Sequence, residues 1–199
     1  DSFFSGHGAE LAPRVDLVRQ CELVVLPKPV RGDLEAMHAG QVLFGWTHCV
    51  QQRAIAQAAI DRRLTLIAWE AMHHWSEGRE RVLHVFHRNN EIAGYAAALH
   101  CLQLLGIDGH YGPRRTVVVL SYGSVSRGAI YALQGRGFNN IRVFTRRPPH
   151  LVADQNPDCY YGQYWADEAG RLWTRDSAGV ERPLMDELAE ADMICNGIL

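Results

Sequence analysis

Between the apolar run TVVVL (116–120) and an amphipathic stretch that follows it, the chain reads Ser121-Tyr122-Gly123-Ser124-Val125-Ser126. A strand, a tight turn and a helix in that order can cradle a phosphate. The turn lets the backbone approach the anion, and the unpaired N–H groups at the positive end of the helix hold it. A dinucleotide fingerprint places glycine at three positions of such a turn. Here serine stands at the first and third, and only the central Gly123 is glycine; Gly128 adds a close-packing site just beyond. A strand–turn–helix that binds nothing can carry the same residues. The next strand, NIRVFTRR, ends in Thr145, Arg146 and Arg147, where an NAD site would carry an acidic residue for the ribose 2′-hydroxyl. Two guanidinium groups and a hydroxyl suit a 2′-phosphate instead, because arginine offers planar, charge-assisted donors to phosphate oxygens. The alternative is a solvated arginine pair at a strand end. Any dinucleotide bound here is expected to be NADP(H).

Other residue types offer less. Ten histidines invite a metal, and His73/His74 and His84/His87 lie close in sequence. No HExxH is present and no carboxylate completes a ligand set, so no metal is expected. Glu70 follows the apolar run LTLIA and could accept from a substrate amine or cap the following helix. Cys49 adjoins His48, but neighbours along a strand point to opposite faces, so Cys49 reads as packing. G-x-S-x-G is absent, which removes the usual warrant for hydrolase chemistry. Trp46 beside His48 could wall a pocket or pack in a core.

The elements that must position these residues alternate. CELVVL (21–26), QVLFGW (41–46) and LTLIA (64–68) read as buried strands, with helical patterns at 33–39 and 50–61 between them. Residues 70–88 read as an irregular connection. EIAGYAAALHCLQLL (91–105) is the longest helical pattern, and GIDGHYGPRR then breaks it. Strand, helix and strand recur from 116 to 147. Aromatics around a DEAG turn predict a hairpin over 158–174, and a short helix (184–191) precedes the final strand ADMICNGI. The order implies an α/β fold with parallel sheets. We expect two Rossmann-like domains joined by the long helix at 90–105: a substrate domain over 1–111, and a nucleotide domain over 112–199 with the aromatic hairpin inserted. The first residue is Asp1 and the last is Leu199, directly after an apolar segment, so both ends are expected to be cut.

Composition bounds the function. The 199 residues are 47% hydrophobic and 21% charged, ordinary for a globular chain. Twenty Lys and Arg against twenty-two Asp and Glu give a net charge of −2 and no basic excess for a nucleic acid. No run approaches the roughly 18 apolar residues of a membrane span. Five cysteines without a CxxC pair argue against a disulfide framework and fit a cytoplasmic chain. The apolar and aromatic content allows a homodimer.

GQVLFGWTH (40–48), NNEIAGYAAALHCL (89–102), TVVVLSYGSVSRGAI (116–130), VFTRRP (143–148) and ADMICNGI (191–198) occur in order. Together they resemble the alanine dehydrogenase and transhydrogenase superfamily. GWTH, IAGYAA and the NGI ending are most similar to its N5-(carboxyethyl)ornithine synthase branch. The resemblance spans most of 20–147 and 184–198 and is weak over 1–19, 70–88 and 150–182. It implies a catalytic lysine and histidine, which fall by motif on Lys28 in LPKP and His48 in GWTH. Both follow predicted parallel strands, where open α/β sheets bind ligands. A lysine there can hold the oxygen or carboxylate of an oxo acid, and a histidine can move the proton needed to form an imine. Either residue could equally be a solvated charge or a structural hydrogen-bonding group.

The resemblance therefore implies NADPH-dependent condensation of a pyruvate-like 2-oxo acid with the amine of an ornithine-like amino acid. Lys28, Trp46 and Glu70 would line the substrate site. Ser121 to Val125, Thr145, Arg146 and Arg147 would hold the cofactor, with Asn196 and Gly197 near the ribose or nicotinamide. The alternatives are an alanine dehydrogenase, a saccharopine dehydrogenase-like oxidoreductase, or an NADP-binding module without catalysis. Four departures from the family stand out: the absence of an early arginine-bearing strand, a sequence that stops at Leu199 where the family continues past NGI, the missing fingerprint glycines, and the aromatic hairpin.

Overall fold

The computed structural model describes residues 2–176 and 178–198, and the chain divides into two compact units, Asp1–Phe86 and His87–Leu199. The first unit begins with α1 (Ser2–Ser5) and α2 (Arg14–Gln20). It continues through β1 (Leu23–Val25), α3 (Arg31–Ala36), β2 (Val42–Gly45), α4 (Arg53–Asp61) and β3 (Thr65–Ala68). The three strands form a parallel sheet in the order β1-β2-β3. Strand period two sends Val24 and Leu43 to one face, where they meet Val18, Leu34, Met37, Ile55 and Ala58 of the helices. Leu23, Val25 and Ile67 are exposed. Gln41, almost fully buried, donates to the carbonyls of Val18 and Cys21 at 2.9 and 2.6 Å and so ties the end of α2 to the start of β2.

The stretch expected to be irregular contains a short antiparallel pair, β4 (His73–Trp75) with β5 (Arg81–His84). Its turn closes through Ser76 and Glu80, with Arg79 in the left-handed region at φ 61°. Histidines and charges hid this hairpin because they interrupt the apolar alternation that marks a half-buried strand.

The second unit opens with α5 (His87–Leu105). Then come β6 (Val117–Leu120), α6 (Ser124–Gly135), β7 (Ile141–Thr145), β8 (Cys159–Ala166), β9 (Leu172–Arg175), β10 (Glu181–Pro183), α7 (Leu184–Ala189) and β11 (Met193–Asn196). One six-stranded sheet has the order β10-β9-β8-β7-β6-β11. Its parallel part, β8-β7-β6-β11, reads 3-2-1-4 in chain order, which matches the first four positions of the doubly wound order 3-2-1-4-5-6. Val117, Val118 and Val119 are all fully buried, as expected of a central parallel strand covered on both faces.

Two expectations change here. The long helix, assigned to a first domain ending at 111, packs in the second unit against α6. A Cβ at Gly94 would lie 1.9 Å from the Val125 carbonyl oxygen, and one at Gly128 would lie 1.8 Å from that of Glu91. Only glycine permits so close an approach. The aromatic hairpin exists as the antiparallel β8–β9 pair, but it is no surface insert. β8 also pairs in parallel with β7, and Tyr164 and Thr174 are buried. No helix among the described residues is long and apolar enough to cross a membrane.

Candidate functional site

In the second unit, β6 ends at Leu120 and the chain turns through Ser121, Tyr122 and Gly123 into α6. Ser121 has φ 75°, the left-handed conformation that explains why a fingerprint prefers glycine at this position. The Ser121 amide donates to the Phe144 carbonyl at 2.8 Å, which ties this turn to the end of β7. The first turn of α6 offers N–H groups with no partner inside the helix, and nothing lies within 4 Å of a Cβ position on Gly123. A ligand can therefore approach the backbone there.

The end of β7 faces this turn. A hollow of about 350 Å³ is lined by Ser121, Tyr122, Gly123, Thr145, Arg146, Arg147, Tyr164 and Ile198. The structure thus brings together the turn and the arginine pair, which lie more than twenty residues apart in sequence. Arg146 and Arg147 are exposed, and among the described residues no ion pair engages either guanidinium. The Thr145 side chain is committed differently from the sequence expectation: its hydroxyl donates to the Arg147 carbonyl at 2.7 Å. The Tyr122 side chain is engaged by its neighbours. Its hydroxyl donates to the Asp154 carbonyl at 2.9 Å, and its ring sits under the Arg127 guanidinium. The Tyr161 ring meets it edge-on, and burial, then the neighbouring Tyr122 hydroxyl, holds the Tyr161 phenol well above its ordinary pKa.

Other expected cofactor residues lie apart from the hollow. Val125, Asn196 and Gly197 line a separate groove of about 480 Å³ with Gly94, Ala97, Cys101 and Ser126. Asn196 Oδ1 accepts from the Ile198 amide at 3.0 Å. Gly197 packs so tightly that a Cβ there would lie 2.0 Å from Ser126 Oγ. Ser124 opens α6 without lining either space. Tyr164 and Ile198 were missed. Tyr164 alternates with Gly162 on one side of β8, a period-two signal available in the sequence, whereas Ile198 reaches the hollow only because β11 pairs with β6.

In the first unit, the loops after β1, β2 and β3 meet at the carboxyl ends of the strands. The Trp46 amide donates to the Pro27 carbonyl at 3.3 Å, joining the loop that carries Lys28 to the one that carries His48. Lys28 is exposed, and among the described residues no hydrogen bond joins it to His48. Glu70 Oε1 accepts from the His48 amide at 2.5 Å and from Thr47 Oγ1 at 3.2 Å. His48 is half-buried at φ 47°, with its ring stacked on Trp46 at 5.9 Å and 17°. Trp46 also stacks on His84 and packs against Trp69 and Phe86, so it belongs to an aromatic cluster. His84 accepts the Phe86 amide at Nδ1, which leaves Nε2 to donate to the Trp69 carbonyl at 3.1 Å. Among the described residues no group of three His, Cys, Asp or Glu side chains could hold a metal ion.

Residues 1–93 match the family model for the alanine dehydrogenase/PNT N-terminal domain. The chain is 26% identical over 163 residues to an N(5)-(carboxyethyl)ornithine synthase of Clostridium botulinum, covering 74% of this chain and 49% of that protein. Its fold is similar to that of a transhydrogenase from Sinorhizobium meliloti, with TM-score 0.64 and 15% identity over 98% of this chain and 55% of the other. It is also similar to an L-alanine dehydrogenase, with TM-score 0.54 and 21% identity over 88% of this chain and 47% of the other. The chain spans about half the length of these relatives. Together the matches support membership of the alanine dehydrogenase and transhydrogenase superfamily for this chain.

Proposed function

We propose that the chain is part of an NADPH-dependent oxidoreductase that condenses a 2-oxo acid with the amine of an amino acid. The observation that carries this reading is the hollow in which the Ser121–Gly123 turn faces Arg146 and Arg147. The fit is physical. The turn presents backbone donors at a helix N-terminus for a pyrophosphate, and two unpaired guanidinium groups stand where a 2′-phosphate needs charge-assisted donors. Among the described residues no side-chain carboxylate lines the hollow to oppose that phosphate. A nucleotide held there would supply, from its dihydronicotinamide, the hydride that reduces an imine.

The first unit supplies the remaining chemistry in this reading. Lys28, exposed and without a hydrogen-bond or ion-pair partner among the described residues, holds the oxo-acid carboxylate or carbonyl oxygen. His48, whose ring nitrogens accept or donate no hydrogen bond among the described residues, passes the proton that turns the carbinolamine hydroxyl into departing water. The similarity to an N(5)-(carboxyethyl)ornithine synthase supports a pyruvate-like acid and an ornithine-like amine. A matrix of oxo acids against amino acids, followed by NADPH oxidation and product mass, tests the proposal. Oxidation should require both substrates and yield a secondary amine. Turnover with ammonia in place of the amino acid would identify an alanine dehydrogenase-type reaction instead, and NADPH binding without turnover would identify a binding module.

A further inference from the structure

We propose that Glu70 is a positioning residue for His48, acting on the backbone that carries the imidazole rather than on a substrate. This rests on the reading in which His48 moves the proton. One carboxylate oxygen, Oε1, accepts from two consecutive residues: the Thr47 hydroxyl and the His48 amide. One donor is the N–H of the Thr47–His48 peptide and the other is the side chain of the residue just before it, so a single acceptor fixes the orientation of that peptide. From the other direction, the His48 carbonyl accepts from the amides of Gln51 and Gln52 at 3.0 and 2.8 Å. The residue is thus pinned through both of its peptide groups.

The pinning has something to oppose. His48 sits at φ 47°, which an L-residue with a Cβ adopts only where the surroundings impose it. Histidine tolerates this region better than bulky or branched residues. With the backbone held, the imidazole lies against Trp46, and neither ring nitrogen is engaged by the protein among the described residues. A proton-transfer group needs that condition: a fixed ring with free nitrogens. Glu70 sits on the turn after β3, twenty-two residues from His48, so the clamp also couples the loops at two neighbouring strand ends. Its second oxygen, Oε2, is buried from solvent with no hydrogen-bond partner among the described residues. A carboxylate reaching for a dissolved ammonium group would present that oxygen to water.

The test compares Glu70→Ala, Glu70→Gln and Thr47→Val in the full chain. A glutamine carbonyl can still accept both hydrogen bonds. In Glu70→Ala the His48 amide should exchange with deuterium about tenfold faster or more, because opening is no longer opposed at that peptide. The His48 ring resonances should lose their ring-current shift from Trp46. Glu70→Gln should restore both. With turnover as readout, Glu70→Ala should lower kcat by about 10–100-fold, the scale expected for a misplaced reacting group, with little change in KM for the amine; Glu70→Gln should recover most of that loss. Should Glu70→Ala not fold, Thr47→Val reads the clamp from its donor side and should speed His48 exchange severalfold. Unchanged exchange and ring resonances in a folded Glu70→Ala chain, or in Thr47→Val where Glu70→Ala does not fold, would overturn the proposal. So would a raised amine KM in Glu70→Gln with kcat intact, which would make Glu70 a substrate contact. Absence of turnover in the unsubstituted chain would count against the proton-transfer role of His48, while the exchange and resonance measurements would still decide the clamp.

Discussion

The Thr145 hydroxyl donates to the Arg147 carbonyl at 2.7 Å. This bond folds the end of β7 back on itself, so that the two residues carrying guanidinium groups leave the sheet beside the Ser121–Gly123 turn. Gln163 of β8 reinforces the arrangement by donating to the Arg146 carbonyl at 3.1 Å. The backbone of the pair is thus fixed by side chains while its own side chains stay exposed.

Replacing Arg146 or Arg147 by alanine should weaken NADPH far more than NADH. A hydrogen bond to a charged group contributes roughly 1.5–3 kcal/mol, so about a tenfold loss or more per arginine is expected for NADPH. Fluorescence titration with both nucleotides measures the difference. Equal loss for the two would remove the assignment of these residues to a 2′-phosphate. Thr145→Val should also weaken NADPH, but by releasing the turn rather than by removing a ligand contact.

His48→Ala should leave NADPH affinity in place and lower kcat by about 10²–10⁴-fold, the usual contribution of a positioned acid–base group. Lys28→Ala should act chiefly on KM for the oxo acid. Steady-state kinetics with each substrate varied in turn separates the two effects.

Gly128→Ala should destabilise the second unit. The new Cβ would stand 1.8 Å from the Glu91 carbonyl oxygen, a backbone atom that cannot swing aside. Forcing an extra methyl into a packed contact costs about 1–3 kcal/mol, which lowers a thermal midpoint by several degrees in a chain of this size. Gly135→Ala on the same helix meets nothing within 4 Å and serves as the control. Calorimetry or far-UV thermal melts of the two variants should diverge.

Alkaline pH should loosen the second unit. Burial, then the nearby Asp158 carboxylate, pushes the Cys159 thiol up to about 11. An unfolded cysteine ionises near 8.5–9, so the unfolded chain loses this proton first. Stability is then complete below about pH 9 and declines as pH rises toward 11. The raised Tyr161 phenol acts in the same direction. Urea unfolding of Cys159→Ser at neutral and alkaline pH should show a shallower decline than the unsubstituted chain.

The sequence carried the fold of the second unit well because its signals are local. Val117 to Val119 form a run that only a buried strand uses, and a serine–tyrosine–glycine turn leads directly into α6. The arginine pair could be read from its distance along the chain, since strand–helix–strand order fixes where the second strand must end. The GWTH and IAGYAA strings marked the superfamily. Gly94 and Gly128 lay in plain view, but their purpose, two helix backbones in contact, needs both helices placed.

Residue order alone determined the alternation of strands and helices, the parallel sheets and the candidate anion turn, because each depends on period, turn chemistry and short-range geometry. Tertiary structure decided where α5 packs, that the aromatic strand β8 joins the main sheet, and that Glu70 meets the Thr47–His48 peptide. Those outcomes rest on which surfaces bury one another and on hydrogen bonds between strand ends twenty-two residues apart. No periodicity along the chain encodes either of these.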